Sequence, residues 1–276
     1  MARVSYDLSG DVVVVTGAAR GIGRDIALGF AAAGADVVAS DLATPIEGLD
    51  YEVGSAEELA ATAGLARDLE GTITAVPADV RDEDEVEQLF RETLLAFEKV
   101  DILVNAAGVY LGATKVVDMS KEQWQVVVDV NLGGPFLCSK HAARAMTETA
   151  RPGRIVTIAS TSALIGIPYQ VGYQSSKSGL LGQVRTLALE LSPYGITVNA
   201  VCPTVTETAM LDHIRHEAAE PYLEEIARLS GAFTIFPGVE ALEPRDVTRA
   251  VMWLASDDAR YVTGVALPVD GGFTIK

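Results

Sequence analysis

Lysine is scarce in this chain of 276 residues, occurring only at Lys99, Lys115, Lys121, Lys140, Lys177 and Lys276. Arginine supplies most of the positive charge, and 21 basic residues face 38 acidic ones, a net charge of −17. Phosphate binding needs a basic footprint, so this balance argues against a nucleic-acid partner. Cysteine is scarcer still: Cys138 and Cys202 have neither metal-ligand spacing nor a disulfide pattern. Reduced, buried thiols in a cytoplasm are expected. No run of about eighteen apolar residues is present, so no membrane span is expected. The opening "MARVSYDLSGD" has no apolar core of a secretory signal. The acidic, lysine-poor composition resembles that of proteins from a high-salt cytoplasm, where screening tames self-repulsion. An ordinary acidic soluble enzyme is the alternative.

What is present is alternation. "DVVVVTG" (Asp11 to Gly17), "DVVASD", "TITAVPAD", "VDILVNAAG", "GRIVTIAS", "ITVNAVCP" and "GVALPVDGG" are short apolar runs of strand character. Between them lie helical patterns: "GIGRDIALGFAAAGA", "SAEELAATAGLARDLEG" behind a Ser cap, "DEDEVEQLFRETLLAF", Lys121 to Thr149 interrupted at "NLGGP", "GYQSSKSGLLGQVRTLALELSP" and "PRDVTRAVMWLAS". Strands alternating with helices from end to end predict an α/β, doubly wound, Rossmann-type fold with a seven-stranded parallel sheet. With no linker or low-complexity segment, residues 1–276 read as one domain. Two stretches exceed ordinary connection lengths, Leu42 to Ser55 and Thr204 to Glu243. The second is expected to be a substrate lid.

"TGAARGIG" sets Gly17, Gly21 and Gly23 between the first strand and the first helix. Such a turn lets a pyrophosphate approach the backbone and meet the free N–H groups of a helix N-terminus. Asp41, at the end of the second strand, stands where a carboxylate binds the adenine ribose hydroxyls of NAD and repels the 2′-phosphate of NADP. Arg20 inside the turn argues for NADP, but "DLATP" adds no second basic residue, so NAD is the expected cofactor.

Tyr173 and Lys177, in "GYQSSKSG", are four apart on a helix and share a face. A nearby ammonium favours phenolate, which makes Tyr173 a usable general base for an alcohol proton. Ser160 ends the fifth strand, where ligands sit in such sheets, and can hydrogen-bond the substrate oxygen; Ser162 is a competitor. Pro135 lies four residues after Asn131 and cannot donate to its carbonyl, which would then be left to hold a water. His213 and His216 are spaced i, i+3 but lack an evident third ligand, so no metal is expected. Trp124 and Trp253 read as packing residues, and "DEDEVE" as a solvated first helical turn.

"TGAARGIG", "VNAAG", "DVN", "IAS", "YQSSK" and "VDGG", in this order from Asp11 to Gly272, resemble the short-chain dehydrogenase/reductase family. The resemblance implies a nicotinamide cofactor, a homotetramer and a catalytic set of Asn131, Ser160, Tyr173 and Lys177, with Lys177 also on the nicotinamide ribose. It implies a cofactor site of Gly17, Arg20, Gly21, Ile22, Gly23, Asp41, Leu42, Asp79, Val80, Asn105, Ala107, Gly108, Tyr173, Lys177, Pro203, Thr206 and Thr208. Asp79 and Val80 would line the adenine, the stretch from Asn105 to Gly108 would be the next wall, and Thr208 would meet the carboxamide. Ala106 stands where most relatives have Asn, and Thr204 where they have Gly. The segments "LATP" and "SAEELAAT" and the Pro-Thr pair resemble the carveol dehydrogenase group, many of which hold NAD tightly and pass electrons to a redox peptide; "GIG" and "NAAG" depart from it.

The substrate walls are expected at Val109 to Thr114, Thr161 to Gly172 and Thr206 to Val239, with Tyr110, Leu164, Ile165, Ile167, Tyr169, Met210, Phe233 and Phe236. Arg215 and Arg228 are the candidate cations of the lid. The mainly apolar walls suit a neutral secondary alcohol or ketone, with a sugar or polyol also possible. Alternatives are an NADPH-dependent ketone reductase of the 3-oxoacyl type and a non-catalytic dinucleotide sensor. An isomerase or lyase of the extended family is disfavoured by length.

Overall fold

The computed structural model describes residues 5–42, 44–46, 49, 53–213, 226 and 231–276. Seven parallel strands form one sheet in the order β3-β2-β1-β4-β5-β6-β7. They are β1 (Val12–Thr16), β2 (Asp36–Asp41), β3 (Thr72–Pro77), β4 (Ile102–Asn105), β5 (Arg154–Ile158), β6 (Thr197–Pro203) and β7 (Ala266–Val269). The helices are α1 (Gly21–Ala32), α2 (Ala56–Leu65), α3 (Glu83–Phe97), α4 (Lys121–Val128), α5 (Gly134–Glu148), α6 (Val171–Leu191), α7 (Ala209–His213) and α8 (Pro244–Ala255). No helix among the described residues is long and apolar enough to cross a membrane.

The central strands β1, β4 and β6 are buried along their whole length, as continuous apolar runs demand in a sheet covered on both faces. One apolar layer packs Val14, Leu103 and Ile155 with Phe90, Met146 and Leu180 of α3, α5 and α6. The other packs Val13, Val15 and Val104 with Ile26 and Phe30 of α1 and Val251 and Leu254 of α8. Local signals set the helix starts. Ser55 caps α2 by accepting the Glu58 N–H while Glu58 accepts the Ser55 N–H. Asp82 caps α3, and its acidic first turn complements the helix dipole. Two helices differ from expectation. α2 stops at Leu65 rather than running on to Gly71, because Leu69 turns back to pack on the sheet. Between α4 and α5 the chain does not break at "NLGGP" but widens into a π turn, Asp129–Gly133. There the Gly134 N–H reaches the Asp129 carbonyl five residues back.

The strand order reverses between β1 and β4. The loops leaving the carboxyl ends of these strands diverge and leave a crevice, the usual ligand position in an open α/β sheet.

Candidate active site

Gly17 opens this crevice. Its φ of 69° lies in the left-handed region, and a Cβ there would stand 2.6 Å from the Ala107 backbone. Gly23 is required for space: a Cβ would fall 2.0 Å from the Gly17 carbonyl oxygen. The two glycines draw the first turn of α1 against the ends of β1 and β4. Arg20 is the N-cap residue with extended backbone (φ −159°, ψ 175°). No side chain caps α1 and its first turn holds no acid, so its positive end faces the crevice. Gly17, Arg20, Gly21, Ile22 and Gly23 all line the crevice, with Leu42, Val80, Ala107 and Gly108 opposite.

Asp41 lies at the far end. Its Oδ2 accepts the Ala19 N–H (2.9 Å) and its Oδ1 the Leu42 N–H (2.8 Å). Burial raises its pKa, and these bonds and the Arg20 charge oppose the rise. The turn is tied from behind by Arg24, which donates to the Ala19 carbonyl and to Thr62 Oγ1 (3.0 Å). Thr62 in turn donates to the Ala18 carbonyl (3.0 Å). Ile46, Val53 and Gly54 of the long connection after β2 line the same crevice. Gly54 sits so close that a Cβ would meet Ala19 Cβ at 2.6 Å and Asp41 Oδ2 at 3.0 Å. These residues were not among the expected ones. The unusual length of the connection was the available signal.

Asp79 borders the crevice with its carboxylate gripped by Arg81, whose Nη2 lies 2.6 Å from Oδ2. Burial would raise the Asp79 pKa, but Arg81 more than offsets this and holds it below the usual range. One expectation fails in part. Asn105 is not on the crevice wall: its buried side chain lies between the sheet and α5 and donates to Ser139 Oγ (3.1 Å) and Thr157 Oγ1 (3.2 Å). The wall begins one residue later, at Ala106. There Thr16 Oγ1 accepts the Ala106 and Ala107 N–H groups (3.2 and 3.3 Å).

Tyr173, Lys177 and Ser160 meet on one cavity that adjoins the crevice. Lys177 is buried, with Nζ donating to the Ile158 carbonyl (2.9 Å) and standing 5.7 Å from the centroid of the Tyr173 ring. Burial pushes the Lys177 ammonium down to about 8. Asn131 is fully buried beneath the site. Its amide holds Val109 from both sides, accepting its N–H (2.8 Å) and donating to its carbonyl (2.9 Å). A Cβ on Gly108 would lie 3.4 Å from Asn131 Oδ1 and 3.5 Å from Lys177 Nζ, so a side chain there would crowd this junction.

Ser160 Oγ accepts the Ser162 N–H (3.1 Å), and Ser162 Oγ donates to Gln170 Oε1 (3.2 Å). Gln170 also hydrogen-bonds Tyr110, which meets the Tyr173 ring edge-on at 5.2 Å. Burial holds the Tyr110 pKa far above the ordinary phenol value, so it stays a neutral hydroxyl. Gln170 was absent from the expected set, although its position three residues before Tyr173 was visible.

Pro203, Thr206 and Thr208 border the same cavity. Thr208 also faces the glycine turn, where a Gly21 Cβ would lie 3.2 Å from its methyl group. Thr204, in place of Gly, keeps ordinary backbone geometry, and its hydroxyl donates to the Phe233 carbonyl (3.0 Å), tying the chain at Phe233 to the residue that follows β6. Of the expected walls, Tyr110, Ile167, Met210 and Phe233 line the cavity. Ile165 and Tyr169 instead pack behind it with Phe273, and Phe236 is exposed. His216, Arg215, Arg228 and the His213 side chain lie outside the described residues. Among the described residues no group of three His, Cys, Asp or Glu could hold a metal.

The crevice fits a dinucleotide: a glycine-tight turn aimed by an uncapped helix, a half-buried carboxylate at one end and a Tyr/Lys pair at the other. A family model described as enoyl-(acyl carrier protein) reductase matches residues 17–274. A 3-oxoacyl-[acyl-carrier-protein] reductase of Synechocystis is 37% identical over 97% of this chain and 98% of its own. The (-)-trans-carveol dehydrogenase of Rhodococcus erythropolis is 34% identical over the full length of both. The crystal structure of carveol dehydrogenase from Mycobacterium avium in complex with NAD superposes with a TM-score of 0.90 at 35% identity, covering 99% of this chain and 100% of that one. By motif order, sheet topology and these likenesses over its whole length, the chain belongs to the short-chain dehydrogenase/reductase family.

Proposed function

We propose that this protein is an NAD-dependent oxidoreductase that interconverts a neutral secondary alcohol, or a sugar or polyol hydroxyl, with its ketone or lactone. The observation that carries the reading is Lys177, buried on the Ile158 carbonyl beside the Tyr173 ring, in a cavity that also exposes Ser160. A buried ammonium next to a phenol favours the phenolate form. Tyr173 then takes the alcohol proton, and returns it in the reverse direction. Ser160 donates its hydroxyl hydrogen to the substrate oxygen as charge develops there. The Asn131 carbonyl, which cannot bond to Pro135, holds a water that passes the proton from Lys177 to solvent.

Bound NAD supplies the hydride acceptor. Gly17, Arg20, Gly21, Ile22 and Gly23 hold its pyrophosphate. Asp41 and Leu42 hold the adenine ribose, Asp79 and Val80 flank the adenine, and Ala107 and Gly108 form the wall between. Tyr173 and Lys177 take the nicotinamide ribose, with Pro203, Thr206 and Thr208 at the carboxamide. A carboxylate already receiving two backbone N–H groups, closed over by Gly54, leaves poor room for a 2′-phosphate. This supports NAD over NADP. Within the same reading the chain is a single cytoplasmic domain with a lid at about 204–243. It assembles as a homotetramer, with its acidic surface suited to high salt.

The test is NADH formation in high-potassium buffer, with NAD and NADP in parallel, on apolar secondary alcohols, polyols and aldoses. Turnover with NAD supports the reading, and a clear preference for NADP overturns the cofactor assignment. A single-turnover burst would point to retained NAD that needs an external acceptor. The 3-oxoacyl reductase relative favours a second reading, reduction of a 3-oxoacyl thioester with NADPH. Acetoacetyl thioester consumption with NADPH and no alcohol oxidation would establish it instead.

A further inference from the structure

The glycine turn is gripped by two residues that line neither the crevice nor the cavity beside it, Thr62 and Arg24. Thr62 of α2 is fully buried, and its Oγ1 donates to the Ala18 carbonyl (3.0 Å). Arg24 of α1 donates from Nη2 to the Ala19 carbonyl and to the Glu58 carbonyl of α2 (3.2 Å). Its Nε donates to Thr62 Oγ1 (3.0 Å). Among the described residues Arg24 donates to no carboxylate; its three partners are neutral oxygens. A planar fork, more than an ion pair, is what this place uses.

The grip sets the orientation of particular peptide planes. Gly17 and Gly21 both have positive φ (69° and 58°), so the turn has a permissive residue at each end. Such ends do not fix the planes between them, and partners outside the turn must. A trans peptide is planar, with its C=O and N–H on opposite sides. Capture of the Ala18 carbonyl by Thr62 therefore turns the Ala19 N–H the other way, onto Asp41 Oδ2 (2.9 Å). Arg24 holds the next plane by the Ala19 carbonyl. The Ala18 N–H donates to the Ser40 carbonyl (3.0 Å), one residue before Asp41. The contacts thus run from Arg24 and Thr62 through Ala18 and Ala19 to Asp41, and of these only Asp41 borders the crevice.

From this we infer that Arg24 and Thr62 are positioning residues for dinucleotide choice. Acting through the Ala18 and Ala19 peptides, they aim the Asp41 carboxylate that separates NAD from NADP. The inference rests on the dinucleotide reading of the crevice, and it adds two residues that lie outside it. Without the brace the Ala19 N–H leaves Asp41, and the carboxylate is free to turn from the ribose. NAD then loses an acceptor for its hydroxyls, whereas NADP loses a repulsion, so NAD weakens more. A brace with a structural role alone would lower stability and leave the discrimination intact.

The test measures NAD and NADP dissociation constants by calorimetric titration, with melting temperatures, on the native chain and on Thr62→Val, Thr62→Ser, Arg24→Met and Arg24→Lys. Thr62→Val nearly keeps the shape of the side chain and removes its hydroxyl. It is expected to weaken NAD by about tenfold, the scale of one or two hydrogen bonds. The NADP-to-NAD ratio of dissociation constants should fall by at least about threefold. Arg24→Met should do the same. Thr62→Ser, which keeps the hydroxyl, should hold the native ratio, whereas Arg24→Lys, which keeps the charge without the fork, should not. An unchanged ratio in both Thr62→Val and Arg24→Met, whatever their melting temperatures, would overturn the inference. Full restoration by Arg24→Lys would assign the effect to charge and overturn the positioning role of Arg24. A native chain that prefers NADP would overturn the NAD reading alone, and the inference would still be decided by whether the ratio moves in these variants. Binding of neither dinucleotide would overturn both.

Discussion

The crevice and the cavity meet at Tyr173 and Lys177, yet they are built differently. On the cofactor side the decisive atoms are backbone: the tight Gly17 and Gly23 turn, the open N-terminus of α1, and the Ala19 and Leu42 N–H groups that aim Asp41. Most of these come from one stretch, residues 16–23, and the strand after it. On the substrate side the decisive atoms are side chains from β5, the segment before α6, the segment after β6 and the residues near 233. A site made of backbone suits a ligand whose pyrophosphate and ribose do not vary. A site of side chains on separate loops can change its ligand by substitution without disturbing the sheet.

Breaking the substrate side alone should have the largest effect. Tyr173→Phe is expected to lower kcat by about 10²- to 10⁴-fold, the usual contribution of a general acid–base. NAD affinity by titration should be nearly retained. Persistent turnover would refute the assignment of Tyr173.

Breaking the cofactor side alone calls for Gly23→Ala. A methyl 2.0 Å from the Gly17 carbonyl must push the turn open. Overpacking of this kind costs about 1–3 kcal/mol. A lower melting temperature and NAD binding weakened by at least about tenfold are expected, with about 1.4 kcal/mol for each tenfold. Unchanged binding would mean that the turn is looser than described.

Asp41→Asn sharpens the contrast by removing the charge, while its amide oxygen can keep only one of the two backbone N–H groups that the carboxylate accepts. Removing one charge about 4 Å from a 2′-phosphate relieves about 1 kcal/mol in a water-like medium, and more as the site dries. The NADP-to-NAD ratio of kcat/KM should therefore rise by about tenfold. A ratio that stays put would give Arg20 the controlling role.

The smallest effect lies at the junction. Lys177 titrates near 10.5 in an unfolded chain but at about 8 when folded, because burial disfavours the ammonium. Between these values the unfolded chain binds more protons, so this group makes stability rise with pH from about 8 to 10.5. Below about 8 the protein carries the full cost of the buried charge. In urea melts, the stability of the native protein relative to Lys177→Met should climb over that window. A flat difference would place the ammonium in water.

Much of this molecule was legible before folding. Strand and helix character follow from residue periods and from local caps such as Ser55 and Asp82, and these act over a few neighbours. The same locality put Tyr173 and Lys177 on one face and the glycines at one turn. Only the tertiary structure decided where polar side chains were delivered. Asn105 reads as a cofactor wall, but pairing of β4 with β5 turns it onto Thr157. Thr204 looks like a misfit for glycine until the chain returns near Phe233 and takes up its hydroxyl. Gln170 becomes part of the site only when the loop after β5 meets Tyr110 in the loop after β4. Backbone conformation is a property of adjacent residues, whereas a side chain's partner is set by which distant segments the sheet brings together.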